Sequence, residues 1–180
     1  MRTIAFTLLA SAAFTLLVSA QMTAGHKAPA PQPANQPAAA PYVTEMPTGF
    51  RDFKLISVAH EAGGLNSLGA VLGNDVAIKA YRAKSLPFPD GTIIAALHYT
   101  HSPNAENNKI FGQAQSFTPG SPTNIQFMIK DSHKYSATGG WGFGNFTPDG
   151  KPSAAAAMKS CFPCHQKEQA RDLVFTQYAP

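Results

Sequence analysis

Close to the C-terminal end of the chain stands Cys161-Phe162-Pro163-Cys164-His165. C-x-x-C-H is the spacing of covalent haem attachment. Two thiols three positions apart can each bond one vinyl group of a single haem. The histidine directly after the second thiol can meet the iron from one face, as a proximal ligand does. The chain has 2 cysteines, both in this motif. That leaves no thiolates for a zinc site built from three or four sulfurs. A thiol redox motif would open a helix in a βαβ setting, and no such pattern surrounds these residues. A structural disulfide across so short a loop would stabilise little. The motif therefore reads as one covalent haem c, with Cys161 and Cys164 as the attachment residues and His165 as the metal ligand.

The rest of the sequence must build the surroundings of that group. Of 180 residues, 44% are hydrophobic and the net charge is +4, which suits a single domain once the N-terminus is set aside. Lysines and arginines are scattered, with no basic cluster and no interleaved aromatics, so nucleic acid is not an indicated partner. The 14 glycines and 15 prolines favour turns and short strands over a helical bundle. Residues 1–20 read as a signal peptide: Arg2 supplies the positive end, residues 4–18 are mostly apolar, and Val18-Ser19-Ala20 is a small-residue cleavage site. Thr7, Ser11 and Thr15 interrupt an apolar run that is short for a span, so no stable membrane insertion is expected after cleavage. No cysteine follows the cleavage site to carry a lipid. Export to a periplasm also suits a pair of thiols with no compensating metal. Residues 21–46 are rich in Pro and Ala and read as a disordered, semi-rigid linker, which places the haem domain at 47–180.

Within that domain, alternation predicts strands over 54–60 and 68–72, joined by a turn at Gly63-Gly64. Asn74 or Asp75 caps a helix whose inward stripe reads Val76, Ala80 and Ala83. Pro87, Pro89 and Gly91 end it. Residues 92–100 form the longest strand candidate, with Thr92, Ile94, Ala96 and His98 on one face. A polar loop over 101–108 follows, then strands over 110–117 and 124–129 joined by a turn through Pro119-Gly120-Ser121-Pro122, then a short helical turn over 130–135. Residues 139–146 are a glycine and aromatic strand. Its glycines mark the close approach of another backbone or a flat ligand, unless it is simply an aromatic core strand. Short helices are predicted over 154–159 and 166–172, and 173–176 returns to the sheet.

Leu72-Gly73-Asn74-Asp75, Pro89-Asp90-Gly91-Thr92, Met128-Ile129-Lys130-Asp131-Ser132, Gly139-Gly140-Trp141-Gly142-Phe143, the haem motif and Asp172-Leu173-Val174-Phe175-Thr176 occur in an order that resembles the cytochrome P-460 family over most of 53–180. The resemblance implies an α+β fold, mainly antiparallel β sheet with a few short helices, usually a homodimer. It implies one c-type haem with His165 as sole strong axial ligand and the opposite face of the iron open to small molecules. In hydroxylamine-oxidising members a lysine, on the strand after the Asp-Gly-Thr turn, adds a third covalent link to the haem. Counting from Asp90-Gly91-Thr92, the matching position is Ala96, which has no amine. Lys79, Lys84 and Lys109 are the nearest lysines, and none is at that place. Some members also carry an arginine on the strand before Asn74, where this chain has Gly69 and Ala70. In lacking the lysine the chain is similar to the related cytochromes c-prime beta, which bind nitric oxide or carbon monoxide at a five-coordinate haem.

If Ala96 faces the porphyrin, His98 faces it too, about 7 Å further along the strand. It could donate a hydrogen bond to a ligand or a propionate, or be a partly exposed strand histidine. Asp131 is the second distal candidate, as a proton acceptor, with a helix N-cap as its alternative role. An electron-transfer cytochrome would need a sixth ligand from Met128, Met158, His60, His98, His101 or His133. Met128 lies in an apolar run and reads as core, and Met158 is only three residues from Cys161. A five-coordinate iron that takes a small gaseous or nitrogenous ligand is the preferred reading. Hydroxylamine oxidation and simple electron transfer to a redox partner protein are the alternatives.

Overall fold

The computed structural model describes residues 42–179. The expected signal peptide and residues 21–41 of the expected linker lie outside the described residues. Five strands form one antiparallel sheet in the order of the sequence. They are β1 (Lys54–Glu61), β2 (Ser67–Gly73), β3 (Ile93–Pro103), β4 (Phe117–Lys130) and β5 (Trp141–Phe146). Helix α1 (Asp75–Ala83) joins β2 to β3, and α2 (Ala105–Phe111) joins β3 to β4. After β5 come α3 (Ala155–Met158), α4 (Cys161–His165) and a 3-10 segment, Gln166–Arg171. The α+β, mainly antiparallel architecture is the one the sequence led us to expect. Among the described residues no helix is long and apolar enough to cross a membrane.

Strand alternation sorts the core into two sets, one on each face of the sheet. Register places Ile94 opposite Met128, Ala96 opposite Val71 and Gln126, and Met128 opposite Phe143. Ile94, Met128, Trp141 and Phe143 pack with Ala77, Ile78 and Ala80 of α1 and with Leu173 and Val174 of the tail. On the other face Ala95, Leu97, Ile125, Phe127 and Phe146 pack with Val43, Phe50 and Tyr135. Asn74 fixes where α1 starts: its side-chain oxygen accepts from Ala77 N at 3.0 Å and from Ile93 N at 3.1 Å. One residue thus caps the helix and ties it to the start of β3. The inward stripe is Ala77, Ile78 and Ala80, with Ala83 exposed. Ala80 is buried as expected, whereas Val76 is half-buried and the stripe centres on Ala77, Ile78 and Ala80 rather than extending to Ala83.

Four further expectations are corrected. Residues 101–108 are not a loop, and 110–117 are not a strand. β3 runs on to Pro103, and Asn104 caps α2 by accepting from Asn107 N at 2.9 Å, with left-handed Gly112 ending it. The turn through Pro119 and Pro122 is instead part of β4, where these prolines pair with His101 and Tyr99 across register shifts. β5 covers β4 only from Ile125 onward, so the missing proline N–H groups interrupt no second ladder. Residues 173–176 do not rejoin the sheet as a strand. Asp172 and Leu173 have φ of 50° and 67°, and these left-handed residues turn the chain away. One backbone bond, Ala179 N to Ile56 O at 2.9 Å, holds the tail beside β1.

The folded body also starts ahead of Pro47. Tyr42 bridges to Phe143, and Val43 N–H donates to Phe143 O at 2.7 Å, covering the outer edge of β5. That contact explains the glycines of β5. A Cβ at Gly144 would lie 3.0 Å from the Cβ of Val43, and one at Gly142 would run into the Tyr135 ring. Protein takes up the Cβ space at both positions, and Gly144 also borders a cavity beside Phe143. Gly142→Ala is therefore expected to destabilise the fold by about 1–3 kcal/mol through overpacking, measured as a lower urea midpoint.

Candidate functional site

Cys161, Cys164 and His165 occupy positions i, i+3 and i+4 of α4, so their side chains share one helix face. Pro163 falls in the first turn, where its missing N–H costs no intrahelical bond. All three side chains line a cavity of about 600 Å³ on the sheet face that carries Ile94 and Met128. Val71, Ile94, Ala96, Met128 and Phe143 supply strand walls, and the tail closes it with Val174, Phe175, Thr176 and Gln177. The volume lies within the usual range for a cofactor site.

His165 Nδ1 is 2.7 Å from the Leu173 carbonyl oxygen. A carbonyl only accepts, so Nδ1 carries the proton and Nε2 keeps its lone pair. The ring packs between Phe143 and Phe175, with centroids 5.0 and 4.8 Å away. Burial lowers its pKa from 6.5, and the Leu173 carbonyl only partly opposes this. The ring is therefore neutral at pH 7, the form that binds metal. Burial pushes the Cys161 thiol up, the backbone bond at Cys161 opposes that, and neighbouring Cys164 adds a smaller upward push. Cys161 is thereby kept as a protonated thiol.

The cavity also receives Ala96 and His98. His98 Nε2 is buried and has no hydrogen-bond partner. A buried ring nitrogen without a partner is costly, so the His98 side chain gains a hydrogen bond if it turns to meet a polar group. Met128 lines the cavity as an 8% exposed core residue. Asp131 is not among the lining residues. Its carboxylate accepts from the backbone N–H groups of His133 and Lys134, at 3.1 and 2.9 Å, and caps the turn after β4. Met158 is buried elsewhere. His60 and His101 stack on each other with centroids 4.2 Å apart, away from the cavity lining, and His133 is exposed. No lysine lines the cavity among the described residues.

Ser57, Glu61 and Gln126 line the cavity too and were not singled out from the sequence. The signal for Gln126 is its register opposite Ala96. For Ser57 and Glu61 it is the alternation of β1, which puts them on the side of Ala59. Among the described residues no group of three or more His, Cys, Asp or Glu is placed to hold a metal ion. The donor set of one metal-competent imidazole beside two thiols fits a metal that brings its own macrocycle.

This combination of meander, apolar cavity and donor set has the make-up of a haem-binding domain. The family model described as Cytochrome P460 matches residues 47–176, and the chain belongs to that family. It is a haem-binding cytochrome. A search of curated proteins gives no match.

Proposed function

We propose that this cytochrome is exported, carries one haem c, and binds small nitrogen species such as nitric oxide at an iron whose second face is open. Cys161 and Cys164 would hold the haem by adding their S–H groups across its vinyl groups. His165 Nε2 would hold the iron. The haem, when bound, supplies an iron that takes up small ligands. Leu173 fixes the tautomer of His165, Phe143 and Phe175 fix its ring plane, and the apolar walls limit water. The observation that carries the reading is the His165 ring, held at Nδ1 by the Leu173 carbonyl in a cavity that Cys161 and Cys164 also line. His98 lines the same cavity, and a turn of its side chain can offer a ring N–H to a bound ligand.

Hydroxylamine oxidation has less support, because alanine stands at the position of the linking lysine and no lysine lines the cavity among the described residues. Absorption spectra of ferric and ferrous protein, with and without nitric oxide, test the proposal. A five-coordinate ferrous form that takes up nitric oxide is expected. A six-coordinate low-spin spectrum in both oxidation states would instead indicate an electron carrier ligated by His98 or Met128. His98→Leu removes one hydrogen bond of about 0.5–1.5 kcal/mol. Dissociation of the ligand, followed by stopped flow, should accelerate about threefold to tenfold, with His165 ligation unchanged.

A further inference from the structure

Next to Leu173, whose carbonyl meets His165, stands Asp172 in a buried ion pair for which the proposed ligand chemistry has no use. Lys130, at the end of β4, reaches Asp172 with Nζ 2.8 and 2.9 Å from the two carboxylate oxygens. The side chains are 7% and 13% exposed. Nζ also donates to Gly139 O at 3.0 Å and lies 4.9 Å from the centroid of the Trp141 ring. The Asp172 carboxylate takes a further bond from Phe88 N–H at 2.9 Å. The pair thus ties the tail to β4, through Lys130 to the turn before β5, and through Asp172 to the segment before β3.

That anchor sits on an unusual piece of backbone. Asp172 and Leu173 are consecutive non-glycine residues in the left-handed region, with φ of 50° and 67°. Each such residue costs about 1–2 kcal/mol, so the pair persists only where the surroundings hold it. Leu173 is also the residue whose carbonyl accepts from His165 Nδ1. Relaxing either φ rotates the peptide planes and swings that carbonyl off the ring. We infer that the Lys130–Asp172 ion pair is the positioning device for the proximal histidine. It holds two left-handed residues so that the Leu173 carbonyl stays on His165, and through that bond it sets how strongly His165 donates to the iron. A stronger bond at Nδ1 raises the basicity of the ligand nitrogen. That favours the ferric state and lowers the midpoint potential.

The inference rests on His165 as the axial ligand, and the test separates the two. Asp172→Asn keeps a side chain that tolerates the left-handed region and can still accept from Phe88 N–H, but removes the charge that holds Lys130. Lys130→Met with Asp172→Asn removes both charges and strands neither, which protects the fold. Both are to be made in the full-length protein matured with its haem. Resonance Raman of the ferrous form and the midpoint potential are the readouts. The iron–histidine stretch should fall and the potential should rise in both variants, because the carbonyl is freed in both. An unshifted stretch and potential in the double variant, which retains the fold, overturns the inference. A native protein that shows no iron–histidine stretch would instead remove the axial role of His165.

Discussion

Protein in which Cys161 and Cys164 are both alanine should lose all of its haem to acidified acetone, while the native chain keeps it. In the proposed reading the two thiols carry the whole covalent attachment, since the chain has no other cysteine and no lysine lines the cavity among the described residues. Each single variant keeps one thiol on the same face of α4, so each should retain haem through one thioether. Mass spectrometry of denatured protein reads the result directly: native and single variants carry the mass of one haem, and the double variant has the bare peptide mass. His165→Gly separates attachment from ligation. Its haem should stay covalently bound while the iron–histidine stretch disappears. A native chain of bare peptide mass, produced with a working maturation system, would defeat the covalent reading.

What could be read in advance was set by short-range chemistry. The haem motif needs only one helical turn, so its sequence spacing already implies that the three side chains share a face. β3 was legible because period-two alternation sends Ile94, Ala96 and His98 to one side, where the cavity lies. Asn74 was legible as a cap because capping needs only the residues that follow it. Other features depended on partners distant in sequence. Pro119 and Pro122 looked like turn residues, and only the shorter span of β5 makes them tolerable in β4. From sequence alone the glycines of β5 suit a second backbone and a flat ligand equally well; Tyr135 and Val43 take up their Cβ space, and Gly144 also lines the cavity. Gln126 enters the cavity through register with β3, and register is decided by pairing rather than by its own neighbours. Lys130 and Asp172 both fell inside motifs shared with the family, yet 42 positions separate them and neither position alone implies the other.

The largest stability change should come from breaking that pair on one side only. Lys130→Met leaves the Asp172 carboxylate 13% exposed, with Phe88 N–H as its one remaining partner beside the Trp141 side of the core. An unpaired buried charge of this kind costs about 3–5 kcal/mol, against a total stability of about 5–15 kcal/mol for a domain. Asp172→Asn should cost less, because the ammonium keeps Gly139 O and the Trp141 ring. The double variant should recover much of the loss, since replacing both charges removes both desolvation costs. Urea unfolding of the haem-loaded proteins at neutral pH gives the three values. The resulting double-mutant cycle should show a coupling at the upper end of the usual range, about 3 kcal/mol. Lys54–Asp75 provides the control, with side chains 62% and 71% exposed. Lys54→Met should leave the urea midpoint unmoved, because solvent and salt already screen that pair. The Lys130–Asp172 coupling should persist at high salt, because burial keeps the counterions out. Additive losses in the cycle would mean that the two side chains act separately, and that the left-handed turn is held by the packing of Leu173 against Gly139 instead.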